Sequence, residues 1–211
     1  MGAEHYRPTM RLPALLLVFA YVAGSVAAAR AETADVLIQA GHEGRPASCG
    51  AHHVAACNLG TAAQGDTERD WTARVADAAT AALRAAGYSV LRRPADYDGR
   101  DSVRAAVFLH FDGSSPACGS GASVGFPATT SRAFVEGWES RYRAWFPYRF
   151  VGENFTAGER QYYGYRKVDA PEKLLIEFGE MTCPAQYDWM APRVPALGAF
   201  LATFLQAHVP R

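Results

Sequence analysis

The stretch VLIQAGHEGR, residues 36–45, begins as a run of apolar residues and breaks into a glycine-flanked turn that carries a histidine. The same design recurs in AAVFLHFDGS (105–114), where His110 ends the run, and in KLLIEFGE (173–180), where Glu177 does. Short apolar runs bounded by turn residues are typical of strands buried on both faces of a sheet. The sequence therefore predicts three buried strands that each finish at a polar side chain.

Helices are predicted between these strands. Residues 67–86 place apolar side chains on one face at helical spacing, Asp66 or Thr67 can cap the first turn, and Gly87 can end the helix. Strands alternating with helices indicate an α/β fold, a single domain with a mostly parallel, mixed sheet and helices on both faces. The remaining predicted elements are a strand at 88–93 and helices at 130–145 and 186–206.

Functional groups in such sheets gather just beyond the carboxyl ends of the strands. His42, His110 and Glu177 all stand there, so we expect them to meet at one rim of the sheet. Each also has a purely structural interpretation. A histidine after a strand is often a packed structural residue, and Glu177 can pair with Arg92 or Arg93 on another strand. A shared functional site explains all three positions at once.

The first 31 residues have the layout of a secretory signal peptide. Arg7 and Arg11 precede the apolar run LPALLLVFAYVAGSVAAA (12–29), and small residues follow it. Cleavage is expected after Ala31, which leaves residues 32–211 as the mature domain. An uncleaved membrane anchor is the alternative, because a run of about 18 residues can span a bilayer. Cleavage predicts an exported protein, periplasmic or secreted, with no stable membrane anchor.

The net charge argues against a nucleic-acid partner. Of the 21 basic and 21 acidic residues, the signal peptide holds three basic residues and one acidic residue, which leaves a net charge of −2 on the mature chain. A nucleic-acid binder needs a basic surface to displace counterions. We therefore expect an exported monomer that binds no nucleic acid.

All four cysteines lie in the exported part, where disulfides are favoured over free thiols. Cys49–Cys57 would close a small surface loop, and Cys118–Cys183 would tie together two loops that follow strands. A four-cysteine zinc site is the alternative, although the sequence contains no pair of cysteines separated by two residues.

Two histidines at one rim suit a zinc ion, which at catalytic sites takes three protein ligands and a water. The third ligand is expected from GDTERDW (65–71), where Glu68 lies in the first helical turn and Asp66 and Asp70 compete for the same role. The helix dipole alone would also explain an acidic residue at Glu68.

With one zinc ion per chain held by His42, Glu68 and His110, Glu177 has a natural task. Zinc lowers the pKa of its bound water to about 7, and a nearby carboxylate can take the proton as that water attacks a carbonyl. The predicted reaction is hydrolysis of an amide without a covalent intermediate.

Four segments, in this order along the chain, resemble the zinc-dependent N-acetylmuramoyl-L-alanine amidases of the Amidase_3 family. They are VLIQAGHEGR (36–45), GDTERDWTARVADAATAALRAAGYSVLRR (65–93), AVFLHFDGS (106–114) and LLIEFGEMTCP (174–184). The resemblance runs through nearly all of residues 35–207. It implies a single α/β domain with a sheet of about six strands.

The resemblance also implies that His42, Glu68 and His110 bind zinc and that Glu177 is the catalytic residue. The implied substrate is the amide that joins the lactyl group of N-acetylmuramic acid to L-alanine in the stem peptide. The partner would then be peptidoglycan or its soluble fragments, the muropeptides.

The sequence departs from the family's pattern near the expected site. Gln39 and Ala40 stand where Asp-Pro or Asp-Ala is common, and Glu43 is an extra carboxylate that can compete as a ligand or base. Glu180 is a second extra carboxylate. Strand alternation places it on the opposite face from Glu177 if the strand continues, but Gly179 is expected to end that strand.

Three other functions remain open. GASVG (121–125) matches the G-x-S-x-G motif of serine hydrolases, with Asp188 and His208 following Ser123 in chain order. ASVGFP (122–127) is better explained as a strand, which argues against a nucleophile turn there. A zinc peptidase cutting within stem peptides would share the metal and the water chemistry. A non-catalytic wall-binding module would be expected to lack one of the four site residues.

Two further segments have open interpretations. RQYYGYRKVD (160–169) is rich in tyrosine and can line a groove for sugar or peptide, or it can be half-buried surface. His52 and His53 can bind metal, but adjacent side chains point apart, and a surface loop explains them better.

Overall fold

The structure of the protein, a computed structural model, describes residues 31–44, 58–97 and 99–211. The predicted signal peptide up to residue 30, the Cys49–Cys57 pair and the His52-His53 pair lie outside the described residues. Within the described ranges, no helix is both long and apolar enough to cross a bilayer.

Nine strands and five α-helices follow one another along the described chain. The strands are β1 (Thr33–Ala40), β2 (Ala62–Ala63), β3 (Asp66–Thr67), β4 (Val90–Arg93), β5 (Asp101–Asp112), β6 (Ala122–Gly125), β7 (Phe150–Glu153), β8 (Val168–Asp169) and β9 (Glu172–Glu180). The α-helices are α1 (Glu68–Ala85), α2 (Arg132–Trp145), α3 (Ala157–Arg160), α4 (Pro184–Met190) and α5 (Val194–His208), with 3₁₀ helices at Tyr163–Arg166 and Ala191–Arg193.

Local chemistry explains where the helices begin and end. Thr67 caps α1, since its side chain accepts a hydrogen bond from the backbone N–H of Asp70, and Gly87 follows the helix in the left-handed region with φ of 86°. The single helix predicted over 186–206 is wrong. A 3₁₀ turn containing Pro192 separates α4 from α5, because proline has no N–H to continue the helix.

The main sheet is mixed and mostly parallel, as predicted. Its strand order is β4-β1-β5-β9-β6-β7, with β8 paired to the start of β5, so it has seven strands. Strands β4, β1, β5, β8 and β9 are parallel, whereas β6 runs antiparallel to β9 and carries β7 parallel to itself. Strands β2 and β3 form a separate small hairpin that the sequence did not predict.

One face of the sheet, the helix face, holds the main hydrophobic core. Side chains such as Ile38, Leu109 and Ile176 are fully buried there with apolar residues of α1, α2 and α5. Aromatic rings of α2 and β9 are part of the same core, for example Trp138 and Phe178 in edge-to-face contact with centroids 6.0 Å apart. The three long helices therefore all lie on one side of the sheet.

The opposite face, the loop face, is covered differently. Leu37, Phe108 and Leu175 pack there against Tyr97 and Tyr165, which belong to a loop and to a 3₁₀ helix. Short helix α3 also contributes to this face, since the side chain of its residue Glu159 is bonded to Ser123 of β6. Helices thus occur on both faces, but those on the loop face are single turns, which leaves the strand ends accessible there.

Candidate functional site

The turn after β1 carries His42 to the rim of the sheet. A Cβ atom on Gly41 would lie 2.4 Å from the carbonyl oxygen of Leu109 and 2.5 Å from the ring of His110, so the backbone can approach β5 this closely only as glycine. His42 adopts a left-handed conformation with φ of 61°. Its Nδ1 donates to the backbone carbonyl of Asn58 at 2.7 Å, which leaves the Nε2 lone pair directed at Glu68.

Glu68, the first residue of α1, is buried between the two histidines. Its Oε1 lies 3.2 Å from Nε2 of His42 and 2.9 Å from Nδ1 of His110. The same carboxylate accepts backbone N–H bonds from Phe111 and Thr61 at 3.1 and 2.9 Å. The carboxylate is therefore held in its charged form.

His110 completes the cluster from the carboxyl-terminal end of β5. Its ring stands edge-on to that of His42, with the centroids 5.0 Å apart, and its Nε2 lies 3.2 Å from the hydroxyl of Tyr162. One ligand atom from each of His42, Glu68 and His110 lies within 4.8 Å of the others. Two imidazole nitrogens and one carboxylate oxygen at this spacing are a donor set that can hold a transition-metal ion.

Neither competing aspartate joins this cluster. Asp66 accepts a hydrogen bond from the hydroxyl of Tyr187 at 2.5 Å, and Asp70 contacts the neighbouring Arg69 on the surface. Among the described residues, the group of His, Cys, Asp and Glu side chains with metal-binding spacing is His42, Glu68 and His110. The structure thus brings together the three residues selected from the sequence.

Glu177 stands beside His110, because the two are register partners on the parallel strands β5 and β9. Its Oε2 is buried and has no hydrogen-bond partner among the described residues. Burial raises the pKa of Glu177 well above its ordinary value, and the nearby charges of Glu68, Asp112 and Glu159 raise it further. A buried carboxylate oxygen without a hydrogen-bond partner is costly, which is typical of a group retained for chemistry.

The structural alternative for Glu177 is wrong, because both candidate arginines pair elsewhere. Arg92 contacts Glu43 at 2.6 Å and Asp77 at 2.9 Å, and Arg93 contacts Asp101 and Glu32, each at 2.8 Å. The same geometry removes Glu43 as a competing metal ligand, since Arg92 holds its carboxylate with two hydrogen bonds.

Glu180 does not share the site either. The prediction that Gly179 ends the strand is wrong: β9 continues to Glu180, with Gly179 at φ of 156°, and the side chain of Glu180 is fully buried. Burial acts to raise the pKa of Glu180, but hydrogen bonds from Thr182, Ser114 and two backbone N–H groups lower it overall. Glu180 therefore anchors the loop over residues 114–120.

That loop is also fixed covalently. Cys118 and Cys183 form a disulfide with their Cα atoms 4.5 Å apart, as the sequence predicted. The pairing joins the loop after β5 to the start of α4. Ser120 of the same loop donates a hydrogen bond to Asp112, a residue of the wall of the site.

The serine hydrolase alternative has no support in the geometry. Ser123 is fully buried within β6 instead of standing on a turn after a strand, and its hydroxyl is bonded to Glu159. His208, at the end of α5, bonds the carbonyl oxygen of Phe204 through Nδ1 and packs against Phe134.

Two cavities adjoin the cluster and share part of its wall, namely His42, Asn58, His110 and Glu177. The larger, of about 360 Å³, is mainly apolar and extends toward Tyr162, Tyr163, Leu175, Thr156 and Glu159. The smaller, of about 240 Å³, is polar and extends toward Gly60, Thr61, Asp112 and Gly113. The aromatic segment considered as a groove wall does contribute two tyrosines to the larger cavity.

Sequence reasoning named Gln39 only as a departure from the family's pattern, with no role in the site, and it missed Glu159. Gln39 is the polar interruption of an otherwise apolar strand, and that signal was available. Glu159 stands three residues after Thr156, which is the spacing of a capping box, and the structure shows both of its reciprocal bonds. That pattern would have located α3 but not the cavity beside it.

No protein-family model matches the sequence, and no curated protein matches it. Solved structures do. Cwp6 from Clostridium difficile superposes with a TM-score of 0.64 at 19% identity, over 85% of this chain but 30% of Cwp6. An N-acetylmuramoyl-L-alanine amidase from Clostridium difficile 630 gives 0.59 at 14% identity, over 84% and 96% of the two chains.

The catalytic domain of CwlV, an N-acetylmuramoyl-L-alanine amidase from Bacillus (Paenibacillus) polymyxa var. colistinus, also superposes with a TM-score of 0.59. The identity is 13%, and the match covers 84% of this chain and 97% of that domain. Similarity at this level of identity establishes a common architecture. The chain therefore has the fold of N-acetylmuramoyl-L-alanine amidases, which is the fold that its sequence motifs implied.

Proposed function

We propose that the protein is a zinc-dependent peptidoglycan amidase. It hydrolyses the amide between the lactyl group of N-acetylmuramic acid and the L-alanine of the stem peptide. The observation that carries this proposal is the convergence of His42, Glu68 and His110 around one point, beside Oε2 of Glu177, which has no hydrogen-bond partner among the described residues. The shared fold with solved amidases is consistent with this chemistry.

The donor set fits zinc. His42 would bind through Nε2 and His110 through Nδ1, because these atoms face Oε1 of Glu68. Three protein ligands of nitrogen and oxygen type, with a fourth position open toward a cavity, are the usual arrangement of catalytic zinc sites. Backbone N–H bonds from Phe111 and Thr61 hold the carboxylate in place from behind, as expected of groups that orient a ligand.

A zinc ion in this site supplies Lewis acidity and a water whose pKa is about 7. Glu177 would take up a proton at Oε2, which lies beside the cluster and has no competing hydrogen bond within the described chain. Its raised pKa suits it to accept a proton and then return it to the leaving amine. The arrangement needs no covalent intermediate.

The larger cavity offers the space for a substrate. Its apolar wall includes Leu175 and the rings of Tyr162 and Tyr163, and such surfaces suit the faces of a sugar ring or an alanyl methyl group. The predicted export across the cytoplasmic membrane would bring the enzyme to peptidoglycan or muropeptides as a monomer. Cleavage of the signal peptide would leave it without a membrane anchor.

The test combines metal analysis with product identification. Purified residues 32–211 should contain about one zinc ion per chain and should lose activity with a chelator. Mass spectrometry of digested muropeptides should show free stem peptides that begin with L-alanine. Cleavage elsewhere in the stem peptide would identify a zinc peptidase instead, and intact muropeptides would indicate a non-catalytic binding module.

Removal of one ligand should abolish both metal and activity. His42→Ala deletes one of the two imidazoles of the cluster, so the variant should lose zinc and turnover together while it remains folded. Zinc content can be measured by atomic emission, and folding by circular dichroism. A His42→Ala variant that keeps its zinc would contradict the ligand assignment.

A further inference from the structure

A chain of hydrogen bonds, which we call the relay, leads from the cluster into the interior of the loop face. It begins at Nε2 of His110, passes through the hydroxyl of Tyr162 at 3.2 Å, and reaches Oε1 of Gln39 at 2.7 Å. It ends where Nε2 of Gln39 approaches the carbonyl oxygen of Ala95 at 3.5 Å. None of these residues except His110 was part of the predicted site.

The direction of each bond follows from the last one. Gln39 is fully buried, and its amide must direct the NH₂ group at the carbonyl oxygen of Ala95, because the opposite orientation would bring two acceptors together. Oε1 of Gln39 therefore faces Tyr162 and accepts the hydroxyl proton. With its proton committed to Gln39, the oxygen of Tyr162 acts as acceptor toward His110.

This order determines the tautomer of His110. An imidazole whose Nε2 donates to Tyr162 carries its lone pair on Nδ1 when it is neutral. Nδ1 is the atom that lies 2.9 Å from Oε1 of Glu68 and faces the cluster. A metal ligand must offer a lone pair, so the relay presents the correct nitrogen.

We propose that Gln39 and Tyr162 are positioning residues that fix the metal-binding tautomer of His110 and thereby set the affinity of the site for zinc. The inference rests on the proposed function, since it presupposes that the cluster binds zinc. Tyr162 also lines the larger cavity, but its role here is carried by its hydroxyl group and not by its ring.

The relay predicts how two substitutions, alone and together, change the affinity for zinc. Tyr162→Phe removes the acceptor for Nε2 of His110 and should weaken zinc binding about 10- to 100-fold, the usual effect of losing a group that orients a ligand. Gln39→Met removes the acceptor of the tyrosine hydroxyl, which can then donate to His110 and favour the tautomer that cannot bind. The double variant should therefore bind zinc no more weakly than Gln39→Met alone.

The matched control is Tyr163→Phe. Tyr163 lines the same cavity and donates its hydroxyl proton to the carbonyl oxygen of Ala95 at 2.7 Å, and within the described ranges its hydroxyl forms no hydrogen bond with His110. Tyr163→Phe removes a hydroxyl oxygen, as Tyr162→Phe does, but from the adjacent residue. Its zinc affinity should stay within about twofold of the unsubstituted protein, since it leaves the orienting bond intact.

Zinc affinity is measured by competition with a chromophoric chelator, using Zn²⁺ alone and no substrate. A second measurement follows the Nε2–H proton of His110 by ¹H–¹⁵N NMR in the zinc-loaded protein, where Tyr162→Phe should accelerate its exchange with water. Equal zinc affinities for Tyr162→Phe and Tyr163→Phe would overturn the relay while leaving the amidase proposal intact. An unsubstituted protein without measurable affinity for Zn²⁺ would overturn both.

Discussion

The two faces of the sheet use the same strands for opposite purposes. Ile176 and Glu177 are neighbours on β9, yet Ile176 is buried in the helix-face core, whereas Glu177 has a buried Oε2 atom with no hydrogen-bond partner within the described chain. Leu109 and His110 divide in the same way on β5. Because successive side chains point to opposite faces, each of these strands places apolar side chains on one face and polar side chains of the candidate site on the other.

The difference shows where the stability of the molecule resides. The helix face buries large apolar and aromatic side chains against three long helices, which favours folding by the removal of apolar surface from water. The rim at the carboxyl ends of β1, β5 and β9 instead places Glu68 and Glu177 close enough to repel each other, which costs free energy. The helix face would thus compensate for the electrostatic cost of the site.

The largest difference between the two faces is expected when a residue of the loop face is substituted and turnover is measured. Glu177→Gln keeps the shape of the side chain but removes its ability to take up a proton, so kcat should fall about 100- to 10,000-fold. That loss corresponds to roughly 3–5 kcal/mol of barrier. Zinc content should stay at the level of the unsubstituted protein. A variant with more than a tenth of the original kcat would show that Glu177 is not the general base.

A substitution one residue away should act on stability instead. Ile176→Ala removes a fully buried side chain from the helix face and should lower the free energy of unfolding by about 2–5 kcal/mol, from lost burial and the cavity left behind. Urea unfolding measures this change. The folded fraction should keep its zinc affinity, and a loss of affinity without loss of stability would contradict the separation of the two faces.

The same Glu177→Gln variant should be more stable than the original chain without metal. Oε2 of Glu177 is buried and has no hydrogen-bond partner in the described part of the chain, so replacing the carboxylate should raise the free energy of unfolding near pH 7 by about 1–3 kcal/mol. Chelator is kept in all samples. The matched comparison is Glu180→Gln, which should be destabilised, because its carboxylate accepts hydrogen bonds from four donors.

The gain from Glu177→Gln should depend on pH with a definite sign. The pKa of Glu177 is raised in the folded state above the ordinary value of 4.5, so the native protein binds more protons than the unfolded chain at higher pH. The original chain therefore loses stability as pH rises from about 4.5 toward the folded pKa, whereas the variant does not. The difference between the two should vanish near pH 4 and grow toward neutrality.

The smallest effect is expected at Glu43. Its pair with Arg92 is partly exposed, with side-chain exposures of 31% and 15%, and such pairs contribute up to about 1 kcal/mol. Glu43→Gln should change the unfolding free energy by no more than this and leave kcat and zinc content unaltered. A large loss of zinc in this variant would place Glu43 back in the site.

Much of the site could be predicted because its residues stand at strand ends. Continuous apolar runs located β1, β5 and β9, and the rule for carboxyl ends of parallel strands then placed His42, His110 and Glu177 at one rim. Glu68 was less certain, since three acidic residues in one turn differ only in the direction of their side chains. Only the packing of α1 against the turn after β1 selects among them.

The sequence by itself determined the alternation of strands and helices, the mostly parallel sheet and the residue types of the cluster. These features depend on local periodicity and on which residues follow the carboxyl ends of the strands. Tertiary structure alone decided which carboxylates are paired. Glu43 and Glu180 have partners, whereas Oε2 of Glu177 has none within the described ranges. It also decided that Gln39, Tyr162 and His110 touch, since residues 123 positions apart meet only when the loop face closes. Contacts of this kind depend on distances in space, and a linear pattern contains none of those distances.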